Sequence, residues 1–480
     1  MLTADAALTK ATSLLNTLAG RRAEIDRLNS YYLGDQPLVF ATDEWKKFHA
    51  KRYQGFSDNW CGVVGSAPGE RTEITGFRVG KDVDPVSSDE AGLWADWERN
   101  DGPAQASQGF LASTVSKRSF ALVWGDPDDE PVLTWESPSQ MIVDYDVENP
   151  RKRRYALKAW TDGDMEFITL YEPEAVWKWE RRAYGVTNGR TRAGLIVPGS
   201  MGANFTVRQP DTDDTWPVRN PLGVVPVVEF ANRPTLGGEP MSDIAGTAAM
   251  QDAINMLWAY LFVAADYASM PGRVVTGAEP PKVPILNDAG DVIGSKPVDI
   301  DALTKGRMLW LTGQGVQIDQ WDAAKLDVFL EVVNVAVRHI AAQTRTPIYL
   351  VHGELGNVNG ETLTGLDAPL VAKVREAHKF YQRPTRELFA LMALVRDQKA
   401  LARECALGTI QWSNPEVRSD SQVSDAALKD VQVGIPLQAV LETRYGYSQP
   451  KIARILQMRD AEMGGFERMP TDPPADAPAE

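Results

Sequence analysis

The chain has 480 residues, too many for one compact core, and implies about two to four structural regions. Hydrophobic residues make up 43% and charged residues 24%, ordinary for a folded protein, and a formal net charge of −15 excludes a tight nucleic-acid grip, which needs clustered Lys and Arg. The two cysteines, Cys61 and Cys405, lie far apart, which excludes a disulfide framework or a zinc cluster and reads as buried thiols in a reducing compartment.

The opening stretch has Asp5 before its first Lys and no long apolar run, so it does not read as a secretory signal. Residues 3–33 carry a helical pattern through Leu14, Leu15, Leu18, Ile25, Leu28 and Tyr32 that ends at Gly34 and Pro37. A second helix is expected near Asn59 to Pro68, and a short one around Trp94 and Trp97, before the turn signal Asn100–Pro103. From about 118 the pattern becomes β. Runs at 120–124 and 131–135 flank a Gly-Asp-Pro turn, with further strands expected at 140–145, 154–160, 165–171, 175–182 and 224–230. Residues 118–231 therefore read as an antiparallel sheet region in a mixed α+β domain.

Residues 232–240 form a linker by composition. After it come two apolar helices, about 243–270 and 322–346, around a β-like insert at 271–321. Ser242 is the expected N-cap of the first and Pro271-Gly272 its stop; at about 1.5 Å per residue it would reach roughly 40 Å. The second has Leu326, Phe329, Leu330, Val333, Val337, Ile340 and Ala341 in 3,4 spacing and stops at Pro347. Its neighbour's longest apolar run, Met256 to Ala265, is much shorter than the roughly 20 residues of a membrane span, so no membrane association is expected. The insert offers strand runs at 307–311 and 316–321, with Gly313 and Gly315 reading as a hairpin turn between them. Next comes a glycine-rich loop from His352 to Gly360, a helical stretch over about 362–405 with kinks expected at Pro369 and Pro384, short helices over 419–465, and a Pro- and acid-rich tail that reads as disordered.

Motifs for catalysis, metal or cofactor binding are scarce. There is no phosphate-binding G-x-x-x-x-G-K-[ST], no H-E-x-x-H spacing among His49, His339, His352 and His378, and Gly313-Gln-Gly315 lacks the third glycine of a dinucleotide fingerprint. His339 sits mid-helix and reads as structural; His352, beside the glycine loop, is the more interesting. Asp126, Asp128, Asp129 and Glu130 resemble a carboxylate cluster, but their turn setting favours a solvated hairpin loop. Arg151–Arg154 reads as an exposed turn or, less simply, a dock for an acidic partner or phosphate. The 14 tryptophans fit packing positions better than a glycan platform. The glycine loop brings Glu354 and Glu361 where a phosphate cradle would bring Lys or Arg, so it reads as a polar, mildly acidic loop.

Several short motifs, in order and spacing, resemble the portal proteins of tailed bacteriophages, of the siphovirus type. They are Tyr31-Tyr32-Leu33-Gly34-Asp35-Gln36-Pro37-Leu38, Asn59-Trp60, the run from Gly223 to Asn232, Ser242-Asp243-Ile244, the run from Gln251 to Asn255, Gly360-Glu361-Thr362-Leu363 and Ala368-Pro369-Leu370. The resemblance implies a mainly helical α+β portal fold: wing 1–241, stem helices 242–270 and 322–346, clip 271–321, tunnel loop and kinked wing helix 347–410, crown 411–466 and tail 467–480. It also implies a non-enzymatic ring, usually of twelve copies, at one capsid vertex of the virion, assembled in the host cytoplasm. Double-stranded DNA would enter and leave through its channel, and the partners would be the terminase large subunit, a head-tail adaptor, and the major capsid and scaffolding proteins. Tunnel-loop residues would be His352, Glu354, Asn357, Asn359 and Glu361, and the clip docking surface would use Lys282, Lys296, Lys305 and Arg307. Five basic residues stand against six acidic ones in 271–321, so the insert is no strong DNA clamp. Two alternatives remain open: an acidic, Trp-rich hydrolase using carboxylates near 126–130 and 144–146, and a minor capsid component that makes no channel.

Overall fold

The computed structural model describes residues 1–38, 43, 47, 56–80, 88–182, 205–208, 215–237, 239–269, 273–276, 282–287, 290–297, 308–311, 317–320, 325–352, 360–418 and 420–466. It is a mixed α+β fold in which helices outweigh strands. The chain divides into two units: Met1–Leu33 with Cys61–Thr247 and Ala341–Glu480, and Gly34–Trp60 with Ala248–Ile340.

The first unit opens with α1 (Ala4–Leu33), whose buried Ala7, Ala11, Leu14, Leu15 and Leu18 recur at helical spacing. They meet Leu157, Ala159, Ile168, Leu170, Trp177 and Trp179 in one apolar cluster. Helix α2 (Trp60–Gly69) leads to strand β1 (Ile74–Arg78), then α3 (Ser88–Arg99) and α4 (Gly102–Ser116). The last of these was hidden by its own start signal: Asn100–Pro103 reads as a turn, whereas Pro103 occupies the first helical turn, where a missing N–H leaves no bond unmade. Gly109 is required there, because a Cβ would lie 1.8 Å from Trp135 Nε1.

Strands β2 (Arg118–Gly125) and β3 (Pro131–Glu136) form the expected hairpin. β4 (Met141–Tyr145), β5 (Arg153–Asp162), β6 (Met165–Tyr171), β7 (Ala175–Arg182) and the short β8 (Thr206–Val207) follow as an antiparallel array, with β9 (Val218–Arg219) also pairing with β7. β10 (Val227–Ala231) returns beside β2, with Glu229 opposite Phe120. Phe110, Phe230, Tyr381, Phe389 and Trp97 form the centre of the largest core, where Phe110 stacks on Tyr381 at 5.0 Å between centroids.

The second unit contains α5 (Ala248–Ser269), preceded by a 3₁₀ turn at Ala245–Thr247. The tighter first turn shortens the regular helix to 22 residues, about 33 Å, against the expected 40. β11 (Arg273–Thr276), β12 (Lys282–Leu286), β13 (Val292–Pro297), β14 (Met308–Leu311) and β15 (Gln317–Gln320) follow. The two anticipated strands, β14 and β15, do not form a hairpin: each pairs with β11, one parallel and the other antiparallel, so β11 is central. Helix α6 is Asp327–Thr344, shorter than the expected 322–346.

Back in the first unit, α7 (Ile348–His352) precedes α8 (Gly360–Val395), one helix through both Pro369 and Pro384. The expected single stretch to 405 is instead broken at Asp397, whose φ of 54° ends it before α9 (Lys399–Cys405). Strand β16 (Thr409–Trp412) pairs with β1, a partnership some 330 residues apart in sequence that periodicity does not reveal. Helices α10 (Asp420–Val433), α11 (Leu437–Thr443) and α12 (Gln449–Phe466) close the described chain. Cys61 and Cys405 are both buried and neither forms a disulfide, and burial pushes the Cys405 thiol up to about 12.

Candidate functional site

The two long helices are unlike in what they bury. α6 turns Val333, Ala336, Val337, Ile340 and Ala341 inward, while Val328, Leu330, Val332 and Val335 are each more than 40% exposed. The same helix is thus apolar on two faces, and one of them meets solvent in the single chain. On α5, Ile254, Met256, Ala259 and Leu261 are buried. Its polar stripe is used by the segment before α2: Gln251 Oε1 accepts from the Trp60 N–H at 2.8 Å and Asn255 Oδ1 from the Asp58 N–H at 3.0 Å. The indole N–H groups of Trp258 and Trp60 both donate to Asp58 Oδ2, at 2.7 and 3.1 Å. Phe56 completes the contact edge-on to Phe262, 5.2 Å away. Two of the short motifs that order the sequence, 59–60 and 251–255, therefore meet in space.

The β12–β13 hairpin is exposed on both faces: Val283, Ile285, Leu286, Val292 and Ile293 are all solvent-facing, a strand pair without the packed face that stable hairpins require. Lys282 and Lys296 lie near its open end, on exposed positions where Lys282 faces Pro297 and Lys296 faces Val283. Lys305 and Arg307, the other two expected docking cations, fall outside the described residues.

Of the expected loop residues, Glu354, Asn357 and Asn359 also fall outside the described residues. His352 is the last residue of α7 and Glu361 the second of α8, so the described chain brackets the loop on both sides. A half-buried triad around the buried Asp367 lies at these brackets, and sequence reasoning missed it. Arg71, just after α2, gives both terminal nitrogens to Asp367 on α8, at 3.1 and 3.3 Å, and one of them also to Tyr349 on α7 at 3.2 Å. Tyr349 Oη donates to Asp367 Oδ1, and Arg71 also reaches the Pro415 carbonyl at 3.3 Å. Burial pulls the Arg71 guanidinium down, and its hydrogen bonds to Asp367 and Tyr349 more than reverse this. The Tyr349 phenol is raised, first by burial and then by its bond to Asp367. A charge separated by roughly 300 residues from its partner leaves no local signal; only Ala368-Pro369 beside Asp367 drew notice.

Further along α8, His378 is stacked on Trp412 with 4.5 Å between centroids. Its Nε2 is buried with no hydrogen-bond partner in the protein, and burial, with the Arg375 charge, lowers its pKa to about 4. This is a neutral core imidazole. His339 is exposed on α6, a surface position for a residue expected to be structural.

The carboxylates a hydrolase would use are engaged otherwise. Asp126 Oδ1 accepts the backbone N–H groups of Asp128 and Glu130, which builds the hairpin turn, and Glu130 pairs with Arg99. Asp144 pairs with Lys10 at 2.8 Å, and Asp146 caps its own turn through Glu148 and Asn149, whose N–H bonds lower its pKa. In the 151–154 turn Arg153 pairs with Glu387 while Arg151, Lys152 and Arg154 are exposed or partly so. Trp97, Trp177 and Trp179 are core residues. Among the described residues no group of three or more His, Cys, Asp or Glu side chains could hold a metal, and no helix is long and apolar enough to cross a membrane.

Residues 14–459, all but the two ends of the chain, match the family model described as phage portal protein, SPP1 Gp6-like. None of the curated proteins compared matches the chain.

Proposed function

Because the chain belongs to the phage portal protein family, we propose that it assembles as a ring at one capsid vertex and conducts double-stranded DNA into and out of the head. The family match over nearly the whole chain carries this reading. The twice-apolar α6 supports it, since a ring lets a neighbouring copy bury the second face. We assign 242–270 and 322–346, which contain α5 and α6, to the stem, residues 271–321 to the clip, 352–361 to the tunnel loop, 411–466 to the crown, and 1–241 with 347–410 to the wing. The ring is taken to hold twelve copies.

A DNA conduit must let its cargo slide. Each Lys or Arg contact to phosphate adds affinity and salt-dependent friction, so a net charge of −15 and an acidic-edged loop, with Glu354 and Glu361, suit passage better than grip. The exposed apolar hairpin with Lys282 and Lys296 at its end suits docking, first of the terminase large subunit and later of a head-tail adaptor. Major capsid and scaffolding proteins would surround the wing. The protein itself does no chemistry in this scheme; its role is structural.

The test is packaging. Proheads assembled with this chain, supplied with terminase, ATP and DNA, should protect that DNA from nuclease, whereas proheads assembled without it should protect none. Equal protection in both would overturn the proposal.

A further inference from the structure

The first unit holds the ends of both long helices at one buried point. Ser242 Oγ accepts from the backbone N–H groups of Ile244 and Ala245 at 3.3 and 3.2 Å, capping the turn that runs into α5. Asp243 follows it and is almost wholly buried. Its N–H donates to the Thr114 carbonyl at 2.9 Å, Oδ1 accepts from Asn232 at 3.0 Å and from Arg233, and Oδ2 accepts from Lys373 Nζ at 2.7 Å. Lys373, on α8, is as deeply buried and reaches one more atom, the carbonyl of Thr344 at 3.0 Å. Thr344 is the last residue of α6, and its carbonyl is one of the helix-end acceptors that the helix itself leaves unpaired. Directly after it Arg345 takes a left-handed conformation, φ 58°, with Thr346 N–H bonded to the Ala341 carbonyl at 3.0 Å, so the helix stops at a defined residue.

The polarity of this arrangement is complementary twice over. An anion sits at the start of one helix and a cation at the end of the other, each opposite the partial charge that the helix end presents. The two charges also pair with each other, and Asp243 takes Arg233 as a second cation. Burial lowers the Lys373 pKa, and Asp243 opposes that shift. A buried ion pair adds little net stability compared with apolar groups of similar volume, and its best-attested use is to fix register.

We propose that the Asp243–Lys373 pair is a register lock, with Lys373 as the positioning residue that sets where α5 begins and α6 ends. The proposal rests on the portal reading only in its consequence: helix ends that are not fixed would give a ring whose channel wall conducts DNA poorly.

The test compares the full chain with Lys373→Met and with the double variant Asp243→Asn/Lys373→Met, using thermal unfolding, amide hydrogen exchange and the packaging assay. Lys373→Met should unfold at lower temperature, because Asp243 loses its lysine partner. The double variant should recover part of that loss, because a neutral amide at 243 needs no lysine and its oxygen can still accept from Asn232 and Arg233. In both, exchange at 242–247 and 338–346 should quicken at least ten-fold while the β5–β7 strands stay unchanged, and packaged DNA should fall about ten-fold. A double variant no more stable than Lys373→Met, or one with native exchange at both helix ends, overturns the lock. A wild-type chain that neither forms rings nor supports packaging would instead contradict the portal reading, and the exchange data would still decide the pair.

Discussion

Arg71 holds Asp367 through both terminal nitrogens, at 3.1 and 3.3 Å, and the carboxylate is only 2% exposed. A forked guanidinium on a buried carboxylate fixes geometry as well as charge, and here it ties α7 to α8 through Tyr349. Removing one member of such a pair strands the other in a low-dielectric site. Arg71→Met should therefore destabilise the fold by about 3–5 kcal/mol in chemical denaturation, with Asp367→Asn costing less because a neutral amide remains. A loss below ~1 kcal/mol for Arg71→Met would contradict the assignment.

The buried His378 makes stability depend on pH. Its folded pKa of about 4 lies below the ordinary 6.5, so between these values the unfolded chain binds the proton and the folded chain does not. Stability contributed by the neutral ring is complete above pH 6.5 and declines as the pH falls toward 4, at up to ~1.4 kcal/mol per pH unit. His378→Phe, which can keep the stack on Trp412, should flatten that part of the profile. Identical slopes in both proteins would rule out His378 as the source.

A ring that buries the outer face of α6 is sensitive to charge there. Val332→Glu with Val335→Glu should leave the isolated chain folded, since both side chains already face solvent, yet prevent assembly. Light scattering would read a monomer where the unmodified chain gives a large oligomer. Normal assembly by this variant would move the subunit contact elsewhere.

Deleting 354–359 removes six residues, the acidic Glu354 among them, from between α7 and α8 and none from the cores described above. Folding and assembly should persist while packaging or retention of DNA is impaired. A normal yield of stable, full particles would remove the loop from the DNA path.

Much of the local structure was legible. The helical stripe of α1, the 120–135 hairpin and the strand runs of β5 and β6 are short-range patterns, and they appear at the expected places. What escaped was long-range or doubly signalled. Gly102-Pro103 can end one element or begin another, and only the aromatic core against α4 decides between them. β16 finds β1 across most of the chain, and β11 takes both β14 and β15, because sheet order follows tertiary packing. The candidate site divides in the same way. The motif residues Asn232, Asp243, Trp60 and Gln251 stood out in sequence, but Lys373, which pairs with Asp243, and Arg71, which pairs with Asp367, did not, since an ion pair across the fold has no spacing to read.

The most direct measurement is electron microscopy of the purified full-length protein. The account predicts closed rings of identical subunits around a central opening wide enough for duplex DNA, with the α6 face buried between neighbours. A uniformly monomeric protein at high concentration, or a closed oligomer with no central opening, would contradict it.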